Sequence, residues 1–116
     1  MMSKYFLKKQ SFIIPICLDD KFKKFKNSIN KNKYLIFVGS NFFGNITGLD
    51  WYIKNVANNI NVKTYVIGKD LQGKNFKNSS KVKFKGYVKN LNRYYKNALF
   101  TVAPIFKGSG MKTKVA

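Results

Sequence analysis

The chain has 116 residues, of which 45% are hydrophobic, and 23 lysine and arginine residues against 4 acidic ones give it a formal net charge of +19. This length allows one small domain or part of a larger one, and the apolar content excludes wholesale disorder. With no histidine and a single cysteine, Cys17, the chain has no set of zinc ligands, no histidine general base and no internal disulfide.

The positive charge admits two interpretations. A basic chain attracts nucleic acids, nucleotides and anionic membranes. However, Arg93 is the only arginine, and proteins that read bases usually rely on the planar, bidentate guanidinium group. Lysine is enriched together with asparagine, isoleucine, tyrosine and phenylalanine, as in genomes rich in A and T. We therefore favour compositional bias over a dedicated polyanion site and expect no specific nucleic-acid partner.

Residues 1–33 are predicted to be distinct from the rest of the chain. Residues 12–20, FIIPICLDD, predict a short apolar strand and a turn, and residues 21–33 predict a basic linker. Pro15 interrupts the apolar run, and acidic residues follow it, which argues against a signal peptide. A lone cysteine favours a reducing compartment, so we expect a cytoplasmic protein. No apolar run approaches the roughly 18–20 residues of a membrane-spanning helix.

Residues 34–40, YLIFVGS, predict a strand that is buried on both faces and ends in glycine. Thr47 with Asp50 resembles a capping box at the start of the following helix. That helix is predicted from one apolar stripe at three- and four-residue steps, which consists of Ile46, Leu49, Ile53, Val56 and Ile60.

Three further segments follow this helix. Residues 62–68 predict a second strand closed by glycine, and residues 68–80 predict a loop. Residues 81–88 predict a third strand or extended segment.

The last predicted elements are a short helix and a strand. Leu91, Tyr95 and Ala98 are expected to face inward from the helix, and residues 99–104 predict another buried strand. Alternating strands and helices predict an α/β fold, an incomplete Rossmann-like parallel sheet with flanking helices.

A glycine loop, KGSGMKTK, follows the last predicted strand. Unpaired backbone N–H groups at a helix N-terminus attract phosphate, glycines allow close approach, and lysines add charge. Taken alone, such a Gly-Ser-Gly sequence is more often an ordinary turn with solvated lysines than an anion-binding loop. It has neither the spacing of a Walker loop nor the position of a dinucleotide fingerprint.

Four stretches occur in a characteristic order: LIFVGSNFFGNITGLDWYIKNV, YVIGKD, VKFKGYVKNLNRYYKNALFTVAP and KGSGMKTKVA. Together they resemble the C-terminal, nucleotide-sugar-binding half of GT-B glycosyltransferases, specifically the retaining enzymes of family 4 (group 1). FIIPICLDDKF is similar to the inter-domain segment that precedes this half. The resemblance covers about residues 12–116.

This resemblance implies that the turns after the strands bind the donor nucleotide. The implied residues are Gly39, Ser40, Gly68, Gly86, Tyr87, Val88, Gly108, Ser109, Gly110, Met111, Lys112 and Lys114. The first three follow two strands, the next three would hold the base, and the last six would receive the diphosphate or sugar. The alternatives are tight-turn geometry at Gly39 and Gly68, and core packing or an exposed edge at Tyr87. Other matching residues are assigned to packing: Leu49, Trp51, Ile53, Tyr95 and Ala98.

The chain also departs from the family. It contains no glutamate, whereas members usually carry Glu-x7-Glu on the helix after the loop, and the acceptor domain is missing. We therefore interpret residues 1–33 as an inter-domain segment and basic linker. Residues 34–116 are interpreted as a partial nucleotide-sugar-binding domain, truncated at its C-terminus.

The expected function is donor binding in a retaining transferase for glycan or polysaccharide synthesis, inactive alone and without metal or cofactor. The expected partners are a nucleoside-diphosphate sugar, a chain carrying the missing acceptor domain, and the acidic inner face of the membrane. The alternative is a non-enzymatic basic module that binds nucleic acid or anionic membrane.

Overall fold

The computed structural model describes residues 33–71, 76–77 and 79–108. The predicted strand and linker within residues 1–32, and the loop from Ser109 onward, lie outside these residues. The described elements are β1 (Tyr34–Val38), α1 (Phe43–Asn55), a 3-10 turn (Ala57–Asn59), β2 (Lys63–Ile67), β3 (Val82–Gly86), α2 (Asn92–Asn97) and β4 (Ala98–Thr101).

The sheet has the order β3-β2-β1-β4, and each neighbouring pair is parallel. This confirms the predicted α/β fold with a parallel, Rossmann-like sheet. No helix in the described part of the chain has the length and hydropathy needed to cross a bilayer.

β1 is a central strand because its side chains are apolar on both faces. Ile36 and Phe37 have no exposed surface, and the strand pairs with β2 on one side and β4 on the other. Its register with β2 is regular from Tyr34↔Lys63 to Val38↔Ile67. Aliphatic and aromatic side chains favour such a doubly covered strand.

The main core lies between the sheet and α1. Leu49 and Ile53 are fully buried there with Phe37 and Val66, which confirms the central part of the predicted apolar stripe. Ile60 lies beyond the end of α1.

The predicted capping box at Thr47 is wrong. Helix α1 begins at Phe43, and its N-cap residue, Phe42, makes no side-chain capping bond. The Thr47 hydroxyl donates within the helix to the carbonyl oxygen of Phe43 at 3.0 Å, and Asp50 pairs with Lys54 at 2.6 Å. Helix α1 begins before Thr47 because the turn that follows β1 already directs the backbone into the helix.

Helix α2 has no buried residue, so the prediction that Tyr95 faces inward is wrong; Tyr95 is exposed. Its neighbour Tyr94 makes the sheet contact instead. The Tyr34 hydroxyl donates to the Tyr94 carbonyl oxygen at 2.9 Å, and the Tyr94 ring meets the edge of Tyr65. Because α2 has only six residues, few of its side chains can contact the sheet. A shift of one residue in the helix therefore changes which side chain makes that contact.

Strand β4 is not the buried strand predicted over residues 99–104. It ends at Thr101, and its Leu99 and Phe100 side chains are 43% and 60% exposed. Among the described strands it has one neighbour, β1, so apolar composition alone does not bury it there. The loop prediction for residues 68–80 agrees with the described residues of that stretch, which form neither helix nor strand.

Candidate anion-binding site at the strand ends

The turns after three neighbouring strands are joined by backbone hydrogen bonds. The Gly39 N–H donates to the Ile67 carbonyl oxygen at 3.0 Å, and the Gly68 N–H donates to the Gly86 carbonyl oxygen at 2.9 Å. Parallel pairing therefore places Gly39, Gly68 and Gly86 in a row at the carboxyl ends of the strands.

Gly68 allows the turns after β1 and β2 to pack together. A Cβ atom at this position would lie 1.6 Å from the Gly39 carbonyl oxygen, a separation that no side chain permits. The N–H groups of both glycines donate within the sheet, so neither is available to a ligand. This geometry agrees with the alternative of tight-turn residues at Gly39 and Gly68.

The order of the strands identifies where a ligand would bind among these carboxyl ends. From β1 the chain builds outward through β2 and β3, and then crosses to the opposite side of β1 to form β4. In open α/β sheets, ligands bind at the carboxyl ends of the strands where the strand order reverses in this way. That point lies between the ends of β1 and β4.

The segment after β4 crosses closely over the backbone of α1. A Cβ atom would lie 2.4 Å from the Lys107 carbonyl oxygen if added to Gly44, and 1.6 Å from the Pro104 carbonyl oxygen if added to Gly48. The two glycines are one helical turn apart, so they lie on the same face of α1. Because neither has a side chain, the backbone of the segment after β4 can contact the helix backbone along this face. Gly108 is thereby brought next to the first turn of α1.

The N-terminus of α1 is electrostatically favourable for an anion. The N–H groups of Phe43 and Gly44, as the first two of the helix, have no intrahelical acceptor. The first turn contains no acidic residue and no side-chain cap, so the positive end of the helix dipole is uncompensated. Lys107 is exposed on the adjoining segment and adds a positive charge.

Ser40 and Asn45 shape the approach to this helix end. The Ser40 carbonyl oxygen accepts hydrogen bonds from the Phe42 N–H at 2.8 Å and from Asn45 Nδ2 at 3.0 Å. Asn45 is 7% exposed, so the side chain that donates this hydrogen bond lies largely inside the fold. The turn is thus held in one shape while Ser40 itself is exposed.

Tyr87 and Val88 lie farther along the same row of strand ends. They follow β3, which is separated from β1 by β2, a distance of about 10 Å at the usual strand spacing. Tyr87 is 76% exposed, so the alternative of core packing is excluded and its ring is free to meet a ligand. Val88 is half-buried.

The structure therefore brings Gly39, Ser40, Gly68 and Gly108 to one end of the sheet, with Gly86 and Tyr87 at its outer strand. The remaining predicted residues, Ser109, Gly110, Met111, Lys112 and Lys114, lie outside the described residues and stay predictions.

Sequence reasoning missed the contribution of Phe43, Gly44 and Lys107. The misplaced capping box moved the expected helix start past the first two of these residues. The spacing of Gly44 and Gly48 by one helical turn was the available indication, since paired glycines often mark a close backbone approach.

An aromatic pair lies beside the segment after β4. Trp51 and Phe106 meet edge to face with ring centroids 4.9 Å apart, and both are largely exposed, Trp51 at 45%. Trp51 therefore serves in packing, as predicted, but it packs at the surface of the molecule. Its contact is with the surface segment that forms one wall of the site.

The donors at this edge suit an anion better than a cation. They are backbone N–H groups and lysines, and nowhere in the described residues do three potential metal-ligating side chains come together.

Residues 32–116 match the model of a family described as "Glycosyl transferases group 1". No curated protein and no solved structure matches the chain. The family match spans every described element, from β1 through the segment after β4. The chain therefore belongs to the group 1 glycosyltransferases.

Proposed function

We propose that this chain provides the donor-binding part of a glycosyltransferase and holds the diphosphate of a nucleoside-diphosphate sugar between the ends of β1 and β4. The observation that carries the proposal is the close packing of the Lys107 backbone on Gly44. This packing supports the proposal because Lys107 and Gly108 thereby lie beside an uncapped helix N-terminus at the point where the strand order reverses.

The chemistry required of this site is stabilisation of negative charge. When the bond between the sugar and the diphosphate breaks, charge develops on the departing diphosphate. Fixed N–H groups at Phe43 and Gly44 would stabilise that charge without reorganising. The exposed Lys107 side chain would add a positive charge. Ser109, Gly110 and Met111 would add N–H groups, and Lys112 and Lys114 would add charge.

The nucleoside would extend along the edge toward β3. Tyr87 offers an exposed aromatic face there, on which a base can stack. The separation of about 10 Å between the ends of β1 and β3 leaves room for a ribose between base and diphosphate.

Transfer also requires an acceptor held against the donor. Residues 33–108 form one α/β unit, so the 116-residue chain is expected to bind donor without turnover, and a partner supplying an acceptor domain would restore transfer. By family resemblance, we extend the proposal to retention of anomeric configuration and to glycan or polysaccharide synthesis at the inner membrane face.

The proposal is tested by NMR titration of the ¹⁵N-labelled chain with uridine, guanosine and adenosine diphosphates. We expect saturable shifts at the amides of Phe43, Gly44 and Lys107, with one base preferred. Lys107→Ala should weaken binding about tenfold, equivalent to about 1.4 kcal/mol. Lys63→Ala is the matched control, because Lys63 lies at the amino end of β2, away from the carboxyl ends of the strands, and its loss removes the same charge.

The same titration distinguishes the alternative of a general polyanion-binding module. Such a module would bind a single-stranded oligonucleotide as tightly as the nucleotides, with a steep salt dependence. Lys107→Ala and Lys63→Ala would then weaken binding equally, and the donor-site proposal would be rejected.

A further inference from the structure

The turn after β2 contains the one described residue other than glycine that has a positive φ angle. Asp70 has a φ of 59°, in the left-handed region that favours glycine, although aspartate tolerates it better than most residues. Gly86, at the end of the neighbouring strand β3, lies in the same region with a φ of 64°. Glycine would satisfy the backbone after β2 as well, so the conformation alone does not account for a carboxylate at this position.

Asp70 lies between two anchored residues. On one side, the Gly68 N–H donates to the Gly86 carbonyl oxygen at 2.9 Å. On the other side, the Leu71 side chain is 2% exposed and packs in the hydrophobic core. Because both flanks are anchored, the short turn between them is fixed at the carboxyl end of β2, where Asp70 is exposed.

The Asp70 carboxylate places a negative charge among the strand ends of a very basic chain. All four acidic residues of the chain are aspartates, and the described ones are Asp50 and Asp70. Asp50 lies on α1 and pairs with Lys54 at 2.6 Å. Within the described residues, no such ion pair involves Asp70.

The order of the strands places Asp70 between the two parts of the proposed donor site. β2 lies between β1 and β3, and neighbouring strands are about 4.8 Å apart. The diphosphate is proposed at the ends of β1 and β4, and the base is proposed at Tyr87, after β3. The ribose that joins base and diphosphate would therefore pass the end of β2, where Asp70 lies.

A carboxylate at this point suits the hydroxyl groups of ribose. The two neighbouring hydroxyls can both donate to its oxygens, and hydrogen bonds to a charged acceptor are stronger than those between neutral groups. In other doubly wound sheets, an acidic residue hydrogen-bonds the ribose of a bound dinucleotide. The diphosphate, by contrast, would be repelled by a carboxylate, which agrees with its proposed place on the far side of β1 from β2.

We propose that Asp70 binds the ribose hydroxyls of the donor and makes the site selective for ribonucleotides. The inference rests on the proposed donor site and adds to it the group that recognises the sugar of the nucleoside. Because the turn is anchored on both sides, Asp70 would accept these hydrogen bonds without a rearrangement of the backbone.

The test uses the full ¹⁵N-labelled chain with uridine, guanosine and adenosine diphosphates, the 2′,3′-dideoxy analogue of each, and inorganic pyrophosphate. For the preferred base, the ribonucleotide is expected to bind at least about tenfold more tightly than its dideoxy analogue, a difference of about 1.4 kcal/mol. The ribonucleotide should also shift the amide of Asp70. Pyrophosphate, which has no ribose, should shift the amides of Phe43, Gly44 and Lys107 and leave that of Asp70 in place.

Two variants remove the carboxylate and keep the backbone conformation, since asparagine and glycine both tolerate a positive φ. Asp70→Asn and Asp70→Gly should bind the ribonucleotide and its dideoxy analogue equally, and should bind pyrophosphate no more weakly than the wild type does. Asp50→Asn is the matched control, because it removes the same charge from α1, and it should retain the preference for ribose.

The outcomes separate this inference from the proposed function. Equal binding of the ribonucleotide and its dideoxy analogue by the wild type would overturn the role of Asp70, as would a preference for ribose that persists in both Asp70 variants. The donor site would still be supported in these cases if pyrophosphate binds at Phe43 and Gly44. Absence of both nucleotide and pyrophosphate binding would overturn the donor site and, with it, the inference.

Discussion

Gly48 and Pro104 are in direct backbone contact: a Cβ atom on Gly48 would lie 1.6 Å from the Pro104 carbonyl oxygen. Through this contact the middle of α1 supports the segment that follows β4. Because Lys107 and Gly108 belong to that segment, the shape of the candidate site depends on a residue in the middle of a helix.

Gly48→Ala is therefore expected to destabilise the protein. Alanine improves helix propensity by about 1 kcal/mol, but the added methyl group must displace the Pro104 backbone, and such overpacking costs about 1–3 kcal/mol or more. We expect a net loss in the free energy of unfolding, measured by urea denaturation, together with weaker nucleoside-diphosphate binding. Thr47→Ala is the matched control, since it also raises helix propensity at the adjacent, partly exposed position. If Gly48→Ala were as stable as this control, the contact would not exist in solution.

The hydroxyl groups of Tyr52 and Thr64 form a hydrogen bond of 2.8 Å between α1 and β2, in a region where Thr64 has no exposed surface. Tyr52→Phe and Thr64→Val each leave one buried hydroxyl without its partner, at a cost of about 1–3 kcal/mol. The double variant removes both groups, so it should cost less than the sum of the single changes. Urea denaturation of all four proteins measures this coupling, and strict additivity would show that the two hydroxyls do not interact.

Burial raises the pKa of Tyr52 above its ordinary value of 10.0, and the hydrogen bond with Thr64 only partly offsets this effect. The folded protein therefore retains the phenol proton at a pH where the unfolded chain has lost it. The resulting stability is fully present below about pH 10 and is lost as the pH rises through the higher, folded-state pKa. Tyr52→Phe should flatten this alkaline loss in denaturation curves measured between pH 9 and 11. Tyr87→Phe, which removes a largely exposed phenol, should retain the wild-type profile.

The single tryptophan, Trp51, reports on the segment after β4 through its contact with Phe106. Phe106→Ala should expose more of the indole to water and shift its emission to longer wavelength. Because the pair is on the surface, the free energy of unfolding should fall by no more than about 1.5 kcal/mol. Phe100→Ala removes an equally exposed ring on β4 and serves as the control. An unchanged emission maximum in Phe106→Ala would show that the rings do not pack together in solution.

The parallel sheet was predictable from local patterns, because β1 and β2 are apolar runs that end at Gly39 and Gly68. The exposure of Phe100 was not predictable in this way. An apolar run indicates burial only when the strand has neighbours on both sides, and the number of neighbours is decided by distant parts of the chain. The same holds for the contact between Gly48 and Pro104, which joins residues far apart in the sequence. Only a wrongly placed helix start prevented the first turn of α1 from being included in the predicted site.

Ionic conditions should separate general repulsion from specific anion binding. With a net charge of +19, the folded chain is destabilised by repulsion among its lysines, and sodium chloride screens this repulsion because the Debye length is about 10 Å at 0.1 M. We expect the melting temperature to rise gradually with salt in the wild type, in Lys63→Ala and in Lys107→Ala.

Pyrophosphate at constant ionic strength should behave differently, because binding to a folded site stabilises by about 2.7 kcal/mol when the ligand is at one hundred times its dissociation constant. The increase in melting temperature should follow a binding curve in the wild type and in Lys63→Ala, and it should be strongly reduced in Lys107→Ala. Lys107 would be responsible for such a difference because its backbone rests on Gly44 beside the open N-terminus of α1, whereas Lys63 lies at the far edge of the sheet. Equal effects of pyrophosphate on the two variants would mean that the anion responds to overall charge and that the ends of β1 and β4 do not form its site.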